Sequence, residues 1–155
     1  MGSITPCLWF DGQAEQAADL YTSVVRNSQV VSVARAGGNP DDPALTVSFE
    51  LDGQPFVALN GGPQFTFTEA VSFQIGCANQ AEVDHYWAAL TADGGEESRC
   101  GWLKDRFGLS WQIVPTVLPQ LIGGDDADGA QRAVQAMLQM HKLDIAALEA
   151  AYRGE

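Results

Sequence analysis

The chain has 155 residues, 46% of them apolar, and carries 20 acidic against 8 basic side chains for a net charge of −12. That length and composition suit one soluble globular domain, and without clustered Lys and Arg, or an apolar run of membrane length, no nucleic-acid or membrane partner is expected. Cys7, Cys77 and Cys100 form an odd set with no Cys-x-x-Cys pair, and the N-terminus has no basic stretch leading into an apolar one. No zinc ribbon, disulfide framework or signal peptide is therefore expected, and a cytoplasmic location is.

In chain order, Ile4 to Phe10 reads as a strand, and Asp11-Gly12 turns it into a helix over Gln13–Val25. Ala14, Ala17, Ala18, Tyr21, Val24 and Val25 fall at helical spacing there, giving one buried stripe. The branched residues Val30, Val31 and Val33 predict a strand over Gln29–Ala36, and Gly37 to Pro43 is a loop. Leu45, Val47, Phe49 and Leu51 alternate with Thr46, Ser48 and Glu50, Asp52-Gly53 is a hairpin turn, and Phe56–Asn60 returns. The first sixty residues thus read β-α-β-β-β.

After a connector, Gly61 to Thr68, the order repeats. Val71, Phe73, Ile75 and Cys77 alternate as a strand, and Gln80–Ala92 is a helix with Val83, Tyr86, Trp87 and Leu90 on one face. Gly94-Gly95 stops it, and Glu96–Cys100 is a short strand. A hairpin then turns over Asp105–Gly108 into Leu109–Val114. The two helix starts share letters, Gly12-Gln13-Ala14-Glu15 against Asn79-Gln80-Ala81-Glu82. A repeat of this size implies two half-sites related by a pseudo-twofold. Modules over 1–60 and 70–115 and a helical tail over 116–155 follow. In the tail, Leu118, Leu121 and Ile122 suggest a short helical turn. Asp128 is expected to cap a helix over Ala130–Met140, and Asp144 one over Leu143–Tyr152. Val134, Leu138, Ile145 and Leu148 are the expected packing residues. Asp125, Asp126 and Asp128 do not make a calcium loop, because Gly124 and Gln135 would fall where carboxylates are required.

Strand alternation puts Trp111 on one face of the last strand, and Ser110 and Gln112 on the other. Trp111 should pack under a helix, while Gln112 either faces a pocket or merely faces water. Cys100, near Lys104, is either a nucleophile of lowered pKa or a small buried thiol at a strand end, with no neighbouring histidine to act as base. Lys104 and Asp105 are either a surface turn pair or groups at a cavity mouth. His85 and His141 are expected on helices, as surface residues rather than ligands.

Leu8-Trp9-Phe10-Asp11-Gly12-Gln13-Ala14-Glu15 through Leu20-Tyr21, Asp105-x-x-Gly108-x-x-Trp111-Gln112-Ile113, and Met140-x-Lys142-Leu143-Asp144-Ile145-x-x-Leu148 together resemble the PhnB-like family, also known as the 3-demethylubiquinone-9 3-methyltransferase family. It belongs to the glyoxalase/bleomycin-resistance/extradiol-dioxygenase (vicinal oxygen chelate) superfamily. The resemblance implies an α+β fold in which two βαβββ modules form a curved mixed-sheet half-barrel with a cavity, here followed by a C-terminal helical tail, often in a homodimer. It also implies four metal-ligand positions, which fall near Pro6, Ala58, Ser72 and Gln112. Proline and alanine offer no side-chain donor, so no metal or other cofactor is expected. The methyltransferase name finds no strand–GxGxxG–helix unit to support it.

The cavity candidates are Trp9, Asn60, Phe65, Cys100, Trp102, Lys104 and Gln112; the aromatic ones, and Phe67, would serve equally in core or dimer contact. The expected function is binding of a small organic molecule without a tightly held metal. The alternatives are an enzyme of the same superfamily using a weakly bound divalent metal and, more distantly, a ligand-free structural or regulatory dimer.

Overall fold

The computed structural model describes residues 2–155. The chain divides into two compact units, the first ending at Phe67 and the second running from Thr68 to Glu155. Each has the element order βαβββ, and the second continues into three further helices. The architecture is α+β, with one four-stranded mixed sheet in each unit.

The first unit comprises β1 (Cys7–Phe10), α1 (Ala14–Val24), β2 (Gln29–Arg35), β3 (Ala44–Leu51) and β4 (Gln54–Asn60). Its strand order is β1-β4-β3-β2, with β1 parallel to β4 and the other pairs antiparallel. The alternation in β3 buries Val47, Phe49 and Leu51, and α1 buries Ala14, Ala17, Ala18 and Tyr21. Alanines on the buried stripe let helix and sheet approach closely, and Tyr21 fills the remaining gap against Phe49 at 6.3 Å between ring centroids. Asp52 and Gly53 both take positive φ, 49° and 80°, as a two-residue hairpin of matching twist requires. β1 starts at Cys7 rather than Ile4. Pro6 has no N–H to give to a ladder, although its carbonyl still accepts from Val57 N at 2.9 Å.

The second unit comprises β5 (Ser72–Cys77), α2 (Gln80–Thr91), a 3-10 turn at Ala92–Gly94, β6 (Glu96–Glu97), β7 (Trp102–Lys104) and β8 (Ser110–Pro115). The sheet order is β5-β8-β7-β6, with β5 parallel to β8. The buried face of α2, Val83, Tyr86, Trp87 and Leu90, packs against the side of the sheet bearing Leu103, Trp111 and Ile113. The two helices with similar starting letters are capped differently. In α2, Asn79 accepts from Glu82 N at 2.9 Å and Glu82 accepts from Ala78 N at 2.7 Å, a reciprocal arrangement of the capping-box kind. In α1, the cap comes from the far end of β4, where Asn60 Oδ1 accepts from Ala14 N at 2.9 Å.

β6 is two residues long, not five. Cys100 and Gly101 take φ of 59° and 84°, and this tight turn leaves the pairing with β6, although the Gly101 carbonyl still accepts from Ile113 N at 2.7 Å. The amides of the turn serve the tail instead: Cys100 N donates to Met140 O and Gly101 N to His141 O, both at 2.8 Å. A Cβ on Gly101 would lie 2.9 Å from Ile113 O and 3.0 Å from Leu143 Cδ1, so this turn requires glycine.

The tail forms α3 (Leu118–Ile122), α4 (Ala127–Met137) and α5 (Ile145–Arg153). Leu118, Leu121, Ala133, Leu143 and Leu148 form its core. Asp144 caps α5 as expected, accepting from Ala147 N at 3.0 Å. For α4 the cap is Asp126, which accepts from Gly129 N at 3.0 Å, not Asp128. The helix therefore begins three residues earlier than the apolar periodicity predicts. Gly129 is drawn into its first turn, where a Cβ would meet Tyr152 O at 2.9 Å. With α4 ending at Met137, Leu138 is 46% exposed rather than packed, and Val134 and Ile145 are only partly buried. His141 lies in the link between α4 and α5, not on a helix, its Nδ1 2.9 Å from Ser98 O.

Candidate functional site

The Asp105-x-x-Gly108-x-x-Trp111 stretch builds the hairpin between β7 and β8, and its chemistry is structural. Asp105, offered by the sequence as a surface turn residue or a group at a cavity mouth, is 2% exposed. Its Oδ1 accepts from Phe107 N at 2.9 Å and from Leu109 N at 3.1 Å, and its Oδ2 from Trp111 Nε1 at 2.9 Å. Each carboxylate oxygen thus meets N–H donors, the condition under which a buried acid is tolerated. Gly108, at φ 87°, closes the turn by donating to Asp105 O at 2.9 Å. Trp111 is thereby fixed against α2 and Phe73, 5.8 Å away between centroids.

Residues directly opposite each other in a ladder project to the same face. Trp102 lies opposite Gln112, Lys104 opposite Ser110, and Ser72 and Gln74 beside Ser110 and Gln112 across the parallel pair. The sheet face away from α2 therefore carries a polar row. Gln112 Nε2 donates to Ser72 Oγ at 2.8 Å, and Gln112 Oε1 accepts from Gln74 Nε2 at 3.1 Å. A cavity of about 210 Å³ opens beside this row, lined by Glu69, Glu96, Glu97, Ser98, Trp102, Leu103, Lys104 and Ser110. Lys104 pairs with Glu69 at its edge. The hydrogen bond from Lys104 holds the Glu69 carboxyl below its ordinary value, and Glu69, with a smaller contribution from Glu96, holds the Lys104 ammonium above its own. Glu97 accepts from Trp87 Nε1 at 2.6 Å.

One lining group stands apart. Ser110 is 1% exposed, and its Oγ is buried with no hydrogen-bond partner among the described residues. A buried hydroxyl without a partner is uncommon, because it forfeits its bonds to water. The sequence placed Ser110 on the Gln112 face but gave no reason to single it out. Its isolation arises because Lys104, opposite, reaches away to Glu69, while Ser72, alongside, is taken by Gln112.

The other candidates fall elsewhere. Cys100 sits in the turn that binds the tail and does not line this cavity. Asn60 spends its amide on structure: Oδ1 caps α1, and Nδ2 donates to Ala44 O at 3.0 Å. Trp9 donates from Nε1 to Gly62 O at 2.9 Å and meets Phe65 edge-on at 4.9 Å, leaving Phe65 66% exposed. Gly61 permits this packing, since a Cβ there would fall 2.4 Å from the Trp9 ring. Trp9, Asn60 and Phe65 thus belong to the first unit, and Cys100, Trp102, Lys104 and Gln112 to the second.

The four positions where the superfamily resemblance places metal ligands do not fit a divalent ion. Pro6 and Ala58 have no side-chain donor, and Ser72 and Gln112 are neutral groups already bonded to each other. Among the described residues, no group of three or more His, Cys, Asp or Glu is placed to hold a metal, and no helix is long and apolar enough to cross a membrane.

A paired βαβββ architecture with a polar sheet face is that of the glyoxalase/bleomycin-resistance superfamily. The model of the 3-demethylubiquinone-9 3-methyltransferase family matches residues 2–114, and the chain belongs to that family. The match stops at Val114, so the tail lies beyond it. The chain is similar to the PhnB protein of Bacillus cereus, with 31% identity over 74% of this chain and all of that one, at a TM-score of 0.67. Protein PA1353 of Pseudomonas aeruginosa shares 19% identity over 74% of this chain and 98% of its own, with a TM-score of 0.63. The fosfomycin resistance protein FosX of Listeria monocytogenes shares the fold at 14% identity, covering 74% and 93% of the two chains with a TM-score of 0.51. No curated protein matches the chain.

Proposed function

We propose that this protein binds a small polar organic molecule on the open face of its second sheet, without a tightly held metal. Trp102, Lys104 and Ser110, which line the cavity, are the contacting residues, and Gln112 lies outside the lining, opposite Trp102 in the ladder. The observation that supports this most is the Ser110 hydroxyl. It lies beside a cavity and lacks a partner, and a ligand group reaching it would recover the lost hydrogen bond. Trp102 supplies a flat apolar surface beside the polar groups of Lys104 and Ser110, which is the mixed lining of a small-molecule site. The donor set at the superfamily's metal positions favours binding that does not pass through an ion. The three free cysteines suit a reducing cytoplasm, and a homodimer is part of the same reading, tested by light scattering.

The test is native mass spectrometry of protein exposed to a metabolite extract, with and without chelator, followed by calorimetric titration of zinc, nickel and manganese. A retained organic mass that survives chelation is expected. Stoichiometric metal with submicromolar affinity, or ligand retention only when metal is added, would overturn the reading.

A further inference from the structure

We infer that the ligand of this cavity is a small organic cation, an ammonium carrying a hydrogen-bonding substituent. This rests on the proposed binding role of the same site and adds the charge of what it takes. The lining holds three carboxylates, Glu69, Glu96 and Glu97, against one ammonium, Lys104. Lys104 is neutralised by Glu69, so no lining cation remains to receive an anionic ligand. Glu97 accepts from the Trp87 indole. Glu96, opposite Lys104 in the β6–β7 ladder, projects to the same face as Ser110 and acts on the Lys104 ammonium more weakly than Glu69 does.

An acidic lining alone would be only a solvated surface. The second, independent feature is Ser110, a residue of the lining whose buried Oγ has no hydrogen-bond partner among the described residues. Trp102 adds an indole face, the side chain that attracts cations best. Charge, aromatic surface and an unpartnered hydroxyl thus converge on an ammonium whose substituent reaches Ser110. An anion would face net repulsion, and a neutral isostere would gain the hydrogen bond alone. The net charge of −12 on the whole chain acts in the same direction, raising the local concentration of small cations.

The experiment compares shape-matched probes that differ in charge: choline, 3,3-dimethylbutan-1-ol and 3,3-dimethylbutyrate. Each is titrated to millimolar concentration against the full chain, following the Trp102 indole and the Ser110 backbone amide by NMR. Choline is expected to move both signals with at least about tenfold higher affinity than its neutral isostere, as one added charge contact in a partly screened site allows. Glu96→Gln should reduce that preference, and Glu96→Asp should keep most of it. Equal or tighter binding of the neutral or anionic probes overturns the inference while leaving the small-molecule site standing. If no probe of any charge moves either signal, both this inference and the proposed site fall together.

Discussion

Replacing Trp111 tests whether the two faces of the last strand are divided as described. Trp111 is 3% exposed, and its indole N–H is held by the buried Asp105 carboxylate. Trp111→Ala removes the ring from between β8 and α2, a deletion that costs about 3–5 kcal/mol in a packed core. Asp105 keeps its two backbone donors, so the loss of the indole bond should keep the total near the upper end of that range rather than far beyond it. For a chain of this size, about 2–4 °C in Tm corresponds to each kcal/mol, giving a fall of roughly 6–20 °C. Trp111→Phe separates the two contributions. It retains most of the buried ring and removes only the charge-assisted hydrogen bond, worth about 1.5–3 kcal/mol. Gln112→Ala, one residue on, removes a half-buried amide from the polar row and should move Tm by only a few degrees. Thermal melts by circular dichroism, with urea midpoints as a check, read all three variants. A large fall for Gln112→Ala with a small one for Trp111→Ala would show that the faces are reversed.

Other variants have equally definite outcomes. Ser110→Ala removes a buried hydroxyl that has no partner, so the free protein should gain about 1–3 kcal/mol of stability while losing probe affinity; a lower Tm would mean the hydroxyl is bonded in solution. Gly101→Ala forces a side chain into positive φ and against Ile113 O, costing about 1–3 kcal/mol and loosening the tail, which faster hydrogen exchange at Cys100 and Gly101 would report. Truncation after Gly124 uncovers Leu118 and Leu121 and removes Leu143 and Leu148, each worth about 1.5–3 kcal/mol of burial, so an unchanged Tm would show that the tail contributes nothing. The Lys104–Glu69 pair sets a pH window. Glu69, held low, contributes fully above its ordinary 4.5 and loses that contribution as pH falls through its lowered folded value; Lys104, held high, contributes fully below 10.5 and loses it as pH rises through its raised value. Glu69→Gln should flatten the acid limb of the Tm profile, and an identical limb would show that the pair is not formed in solution.

Much of the fold was legible because it rests on local periodicity. The alternation of Val47, Phe49 and Leu51 and the helical stripe of Ala14, Ala17, Ala18 and Tyr21 each signal their own element. What the sequence hid depends on distant partners. Asp105 looks like an ordinary turn carboxylate until the indole six residues on folds back over it. The sequence pointed to Asp128 as the cap of α4, and the structure uses Asp126 instead, in a packing that brings Gly129 against Tyr152. Gln80 belongs to a repeated helix-start motif, yet its amide donates to Leu143 O at 3.0 Å and accepts from Ile145 N at 2.8 Å, tying the tail to α2. Of the site, alternation exposed Gln112 and Ser110 as one face, but no sequence pattern reveals that Ser110 lacks a partner, because that follows from where Lys104 and Ser72 spend their own bonds.

The most direct measurement of the central claim is a ¹H–¹⁵N spectrum of the labelled protein in chelator, before and after addition of a metabolite extract. Ligand binding in the cavity predicts shifts of the Trp102 indole and of the Gln112 side-chain amide beside it, while the Trp111 indole on the helix side stays in place. No shift at these groups, or a shift that appears only after a divalent metal is restored, would contradict the account.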